Sequence, residues 1–224
     1  MARTDTHKTP TAAGGTRERL IDTTQRLLWS DGYAGVSVDR ICKEAGVKKG
    51  SFYHFFPSKE DLVLAALDAL WEAAQAGLYG SAFDKGLHPL ERLNRFAELN
   101  HGYHVDMLKG GQWQAEQGCP FGNVGAEAGA DDVRIRNKVH QLYEEEAVYF
   151  ERALADAVAA GAIPAQDVTA AARQLVALQS GLFHHAKVYN DAAWLLQFIP
   201  AAARLIGAPV RDGRFLVPAE TGVT

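Results

Sequence analysis

The chain has 224 residues, of which 47% are hydrophobic and 22% charged, and its formal net charge is −4 at pH 7. That length can bury a sizeable core in one large domain or two small ones, and the composition excludes extensive disorder away from the ends. No uninterrupted apolar run approaches the roughly 20 residues of a membrane span. The polar, small residues 1–15 lack the apolar core of a secretory signal, so the expectation is a cytoplasmic protein with a flexible N-terminal arm and no membrane partner.

Charge is distributed unevenly. Residues 1–60 hold ten Lys/Arg and seven Asp/Glu, net +3, whereas residues 61–224 are net −7. A basic head on an acidic body suits a chain that presents one end to a polyanion. The two cysteines, Cys42 and Cys119, are far apart in sequence. A disulfide framework wants more of them and a zinc site wants them clustered with histidines, so both thiols are expected to be reduced.

Nearly every segment carries helical periodicity. A first helix is expected over 17–30, with Leu20, Thr24, Leu27 and Leu28 on one face, Thr16 as cap and Gly32 as stop. A second begins after Ser37, a good N-cap, with Asp39 in its first turn where the helix dipole favours an acid. Its stripe is Val38, Ile41, Cys42 and Ala45, and Gly46 ends it. A short third helix is predicted over 48–55 and is broken by Pro57. Ser58, with Asp61 three residues on, forms a capping box for a fourth helix over 59–77. Further helices are predicted over 90–108, 132–160, 167–188 and 192–206, with Pro200 kinking or splitting the last. Residues 110–129 read as irregular, with at most a short helix near Trp113. The tail from Gly207 reads as extended and loosely held, and no strand pattern stands out.

Two short helices joined by a tight glycine-containing turn, with a third packed beside them, are the architecture of a helix-turn-helix. Val38, Ile41, Ala45, Val47, Phe52 and Phe56 can share one small core. The residues then left facing outward on the third helix are Lys48, Lys49, Ser51, Tyr53 and His54. Lysines neutralise phosphates, and Tyr and His can donate to phosphate oxygens. Gly50 permits close backbone approach at a helix cost of about 1 kcal/mol against Ala. The other reading of the same residues is a solvated helical corner with a few charges.

The segment GVKKGSFYHFFPSKEDL, residues 46–62, resembles the DNA-binding domain of the tetracycline-repressor (TetR) family, with the preceding helix and its Gly32-Tyr33 turn also matching. The resemblance covers residues 16–67 in detail and the rest by helix order. It implies an all-α homodimer. A three-helix helix-turn-helix domain over 16–60 would join a larger helical ligand-sensing and dimerisation domain over 61–208, followed by a tail over 209–224. It implies double-stranded operator DNA as partner, a small-molecule effector, and repression. Carried onto this sequence, the DNA-facing set is Ser37, Lys48, Lys49, Gly50, Ser51, Tyr53, His54 and Lys59. Lys48 departs from the family, which often has a capping Ser or Thr there. Either the helix starts differently or Lys48 makes an extra phosphate contact.

In the body, the resemblance assigns the last two helices to a dimer surface. Val168, Ala172, Leu175, Val176, Gln179, Leu182 and Phe183 form a broad apolar face on one, and Trp194, Leu195, Phe198, Ile199, Leu205 and Ile206 form another on the other. Burial within one subunit is the alternative. Candidate effector-lining residues combine apolar walls with polar handles: Trp71, Phe96, Asn100, Tyr103, His104, Met107, Trp113, Tyr149, Phe183 and Lys187. The Gly/Pro-containing stretch GCPFGNVGAE, residues 118–127, resembles a Gly-Cys-x-x-x-Asn-x-x-x-Glu segment of some TetR-type regulators and adds Cys119, Phe121 and Asn123 to that set. Two readings stand for it. In one, Cys119 is a small buried hydrophobe, Asn123 satisfies backbone groups and Glu127 caps a helix. In the other, Cys119 is a thiol that senses electrophiles or oxidants, which requires a lowered pKa.

An enzyme is the competing class. His101, His104, His184 and His185 with Glu144, Glu145 or Glu146 are the conceivable metal ligands, but no HExxH or Glu-x-x-His repeat, phosphate-cradling loop or nucleophile elbow occurs. No cofactor and no catalytic group are expected.

Overall fold

The computed structural model describes residues 15–128 and 131–217. The arm expected over 1–15 therefore falls, up to residue 14, outside the described residues. Among the described residues two compact units form, one within 15–77 and 119–140, the other within 78–118 and 141–217. The described chain is helical throughout, apart from one small hairpin.

In the first unit, α1 (Thr16–Asp31) buries Leu20, Ile21, Leu27 and Leu28. Thr16 is its first residue, not its cap; Gly15 holds the N-cap position with no side-chain hydrogen bond. Ser37 caps α2 (Val38–Ala45), accepting from Arg40 N, and Gly46 ends that helix in the left-handed conformation at φ 64°, which costs Gly little. The turn leads to α3 (Lys49–Phe55). Phe52 and Phe56 are buried and their ring centroids lie 6.3 Å apart. Ser58 Oγ caps α4 (Lys59–Ala74) by accepting from Asp61 N at 3.1 Å, and it donates to the Asp61 carboxylate at 2.7 Å, so the expected pair forms with the Asp61 side chain on the Ser58 hydroxyl and not on its backbone N–H. The helix continues through a wider π turn over Gln75–Tyr79. The unit is completed by α7 (Pro120–Ala128) and the first turns of α8 (Val133–Ala159).

The second unit holds α5 (Gly80–Ala82), α6 (Pro89–Lys109), the remainder of α8, α9 (Val168–Tyr189), a 3-10 turn (Ala192–Gln197) and α10 (Phe198–Ile206). The last predicted helix is split, with Pro200 in the first turn of α10, where its missing N–H removes no helical bond. An aromatic cluster forms the core: Phe96 lies 5.0 Å from Phe150, 5.5 Å from Phe198 and 5.8 Å from Tyr79. Such pairs contribute about 0.5–1.5 kcal/mol each beyond burial.

The tail differs from the sequence reading. Val210–Arg211 and Arg214–Phe215 pair as an antiparallel hairpin, and Asn94 of α6 binds both backbone groups of Phe215, accepting from its N–H at 2.8 Å and donating to its carbonyl at 3.1 Å. The apolar faces of α9 and α10 are also largely consumed inside the unit: Leu175, Val176, Phe183, Leu195, Phe198, Ile199 and Ile206 are all buried. No helix among the described residues is long and apolar enough to cross a membrane.

Candidate DNA-reading face and effector region

The outward face of α3 is set by its short apolar period. With Phe52 at zero exposure, Lys48, Lys49, Gly50, Tyr53 and His54 are exposed and Ser51 is half-buried. Lys48 occupies the N-cap position with no side-chain hydrogen bond, and its carbonyl accepts from Ser51 N and Phe52 N. The helix thus starts one residue later than expected, and the Lys48 side chain takes no part in capping. Lys49 pairs with Asp39 of α2 at 2.8 Å, an exposed contact that draws the two helices together. Ser37 is exposed, its hydroxyl committed to the α2 cap.

Lys59 is held differently from the other lysines. Its ammonium donates to Tyr33 O at 2.7 Å and lies 3.8 Å over the Tyr33 ring, so it braces the turn between α1 and α2. Burial pushes its pKa below the usual lysine range, and the Glu127 charge offsets this in part. An ammonium has three donors, so the brace leaves others for a phosphate.

The effector candidates divide between the two units. In the first, Trp71 is buried with its ring 6.2 Å from Phe121. Cys119, half-buried, immediately precedes α7, and its carbonyl accepts from Asn123 N at 2.9 Å. In the second, His104 is the centre of a compact set. It stacks on Phe183 at 5.1 Å and meets Trp113 edge-on at 5.1 Å and Tyr103 at 5.7 Å. The Met107 carbonyl accepts from Trp113 N, holding that loop against α6. Burial pushes the Tyr103 phenol up to about 12. Phe96 and Tyr149 belong to the aromatic core, with Tyr149 4.8 Å from Tyr79. Asn100 lines a cavity of about 10 Å³ together with Gln179, Leu182 and Phe198, space for about one water. Lys187 is half-buried near the end of α9.

Sequence reasoning missed the most unusual groups. Glu116 has no side-chain exposure, and its Oε1 accepts from Gly118 N at 3.0 Å and lies 2.6 Å from His104 Nδ1. Its backbone N–H is held by Asn190 Oδ1 at 2.8 Å. Glu146 is fully buried with Tyr79 OH donating to it at 2.8 Å, and burial pushes its pKa up to about 7 against the opposing hydrogen bonds of Tyr79 and Gln179. Glu116 carried no sequence signal, and Glu146 was weighed with Glu144 and Glu145 as a conceivable metal ligand; the fold instead buries Glu116 and Glu146 as hydrogen-bonded acids. No group of three or more His, Cys, Asp or Glu among the described residues is placed to hold a metal.

Residues 20–66 match the family described as bacterial regulatory proteins, tetR family, and residues 89–202, half of the chain, match the tetracyclin repressor-like C-terminal domain. The chain belongs to the TetR family.

It is therefore a DNA-binding transcriptional regulator and not an enzyme. Among solved structures, a TetR regulatory protein from Rhodobacter sphaeroides is similar with TM-score 0.74 and 31% identity, over 85% of this chain and 98% of that one. E. coli NemR, solved in a reduced form, shares the fold with TM-score 0.71 at 23% identity, over 88% of this chain and 99% of that one. Among curated relatives, AcuR of Cereibacter sphaeroides is 40% identical over 116 residues, 48% of this chain and 47% of that protein. A regulator from the lacX 3' region of Lactococcus lactis is 29% identical over 130 residues, 58% of this chain and 63% of that protein. The matched part thus spans between about half and two thirds of the length of these two curated relatives.

Proposed function

We propose that this TetR-family regulator is a homodimeric repressor that a small molecule releases from a pseudo-palindromic operator. The observation that carries the DNA contact is the exposed α3 face. Lys48, Lys49, Gly50, Tyr53 and His54 are exposed and Ser51 half-buried around the buried Phe52, and Ser37 at the N-cap of α2 and Lys59 at the start of α4 complete the proposed set. A recognition helix needs that combination of cations, hydroxyls and low bulk. Repression agrees with the relatives named repressors, NemR of E. coli and DhaR of a Mycobacterium strain.

Dimerisation is supported by the outward side of α9. Ala177, Gly181, His184, His185 and Val188 are exposed at helical spacing, and Tyr189 and Leu196 extend the face. Small residues at that spacing let a second helix approach closely. Two α3 helices then address major grooves about 34–36 Å apart.

The effector reading rests on the second unit, where His104, Glu116, Asn100, Gln179 and Glu146 place polar handles among aromatic walls, and on Cys119 at the start of α7. The cavity beside Asn100 holds about one water, so a larger effector has to displace side chains there. Only a ligand that binds the two states unequally shifts the equilibrium. For Cys119 the proposal is an electrophile- or oxidant-sensitive thiol.

The test is operator binding on DNA flanking the protein's own gene, repeated with candidate small molecules and with a thiol-alkylating reagent. Sequence-specific binding that weakens on addition of an effector is expected. A protein that prefers no DNA sequence overturns the reading, and unchanged affinity with Cys119 shown to be alkylated removes the thiol part of it.

A further inference from the structure

The turn between α1 and α2 is held from outside the helix-turn-helix. Glu127, at the penultimate position of α7, accepts from Ala34 N through Oε2 at 2.8 Å. The carboxylate fills the space beside Gly32, which is buried at φ 67°, and a Cβ there would overlap it. Tyr33, between these two residues, is fixed from both ends. Its carbonyl takes the Lys59 ammonium at 2.7 Å, and its hydroxyl reaches Asp132 Oδ2 at 3.4 Å. Asp132 in turn starts α8, its Oδ1 accepting from Arg134 N and Ile135 N at 3.1 Å each. Arg134 closes the ring by pairing with Glu60 and Asp61 in the first turn of α4 at 3.1 and 2.8 Å.

The position of this turn is coupled to both helices of the reading motif. Val36 is buried, Ser37 caps α2, and α2 leads through the Gly46 turn to α3. Ala34 is three residues from the α2 cap, so a shift of the turn re-aims both helices. The Glu127 carboxylate does not cap a terminus of its own helix; it serves a loop 93 residues earlier. Lys59 and Arg40 tie into this turn at the Tyr33 and Gly35 carbonyls and Asp132 at the Tyr33 hydroxyl, and among the described residues Glu127 is the one whose side chain binds a backbone N–H of the turn.

We propose that Glu127 is the positioning residue of DNA reading: by holding the 32–34 turn it sets the angle at which α2 and α3 meet the groove. The proposal rests on the assignment of α3 as the reading helix. It deepens that assignment by placing a determinant of selectivity outside the helix-turn-helix segment.

The test measures affinity of the full chain for two duplexes, one selected from a random pool by the wild-type protein and one scrambled, at a single salt concentration, alongside the melting temperature. Glu127→Ala is expected to weaken binding to the selected duplex about fivefold, the scale of losing one backbone cap. Binding to the scrambled duplex, which depends on phosphate charge, is expected to hold. Glu127→Gln keeps an oxygen for Ala34 N and is expected to restore most of the selectivity. Gly32→Ala, which crowds the carboxylate, is expected to lower selectivity as well, and to do so less than additively with Glu127→Ala. An unchanged selectivity ratio in Glu127→Ala overturns the proposal. So does a parallel loss for both duplexes that tracks the melting temperature, with Gln no better than Ala. A wild-type protein that selects no sequence fails the DNA-reading assignment itself and takes the proposal with it.

Discussion

His104 Nδ1 lies 2.6 Å from Glu116 Oε1, and both side chains are removed from water. The pair joins the middle of α6 to the loop that precedes α7, inside a wall of Phe183, Trp113 and Tyr103 rings. Removing one partner of such a buried hydrogen bond leaves the other under-satisfied, with only the Gly118 N–H still on Glu116 Oε1, which costs about 1–3 kcal/mol. His104→Leu is therefore expected to destabilise the second unit by that amount in urea unfolding. The double variant with Glu116→Leu is expected to recover a large part of it, because no orphan carboxylate remains. Additive losses in the double variant would contradict the coupling.

Glu146 predicts how stability depends on pH. Burial raises its folded-state pKa from the usual carboxylate value of 4.5 to about 7. The folded state therefore holds a proton that the unfolded chain has already lost, and stability falls as pH rises from about 4.5 through about 7. The full effect is on the order of 3 kcal/mol at pH 8. Glu146→Gln keeps an acceptor for Tyr79 OH and carries no charge. It is expected to flatten this pH slope and to be the more stable protein at pH 8, as read by thermal unfolding across the range.

Tyr53 is 52% exposed and makes its ring contact with Phe52 edge-on at 5.1 Å. Its removal is expected to change stability by less than about 0.5 kcal/mol, as at other surface sites. Loss of a phosphate hydrogen bond of about 1 kcal/mol weakens operator binding roughly fivefold. Gel-shift titration of Tyr53→Ala, with size-exclusion chromatography as control, checks both halves. A change in oligomeric state would assign Tyr53 to a subunit contact instead.

Asn94 is fully buried and matches both backbone groups of Phe215. Arg214 adds ion pairs to Glu91 and Glu98 on the same helix. Asn94→Ala leaves a buried N–H and C=O of Phe215 unsatisfied, at about 1–3 kcal/mol each. The expected outcome is a hairpin released to solvent, seen as faster amide exchange at Phe215 and faster proteolysis around residues 209–217. The α-helical signal is expected to stay unchanged. A protected Phe215 amide in the variant would show that the hairpin is held by other contacts.

Local signals in the chain were legible. Ser37, Ser58 with Asp61, Gly46 and Pro57 each act within four residues, and each marks the boundary it was expected to mark. Thr16 misled because a Thr at a helix start reads the same whether it is the cap or the first residue of the helix. The hairpin over 210–215 was illegible because two-residue strands carry no period, and its anchor, Asn94, is 121 residues away. The apolar faces of α9 and α10 were visible as faces. Which of their residues pack inward cannot be read from a periodicity that is the same for a core and an interface.

The sequence by itself determined most of the helices and the family, because those depend on periodicity, capping and a contiguous motif from Gly46 to Leu62; it missed α7, since the Gly/Pro content of residues 118–127 reads as irregular and the short helix expected near Trp113 is absent. Only the tertiary structure decided which acids leave water and what they serve. Glu116 leaves water to meet His104 and Glu146 to meet Tyr79, whereas Glu127 stays exposed and meets a turn 93 residues earlier. A carboxylate's burial and partners are set by chain segments that fold against it from elsewhere, and no local pattern around the acid records them.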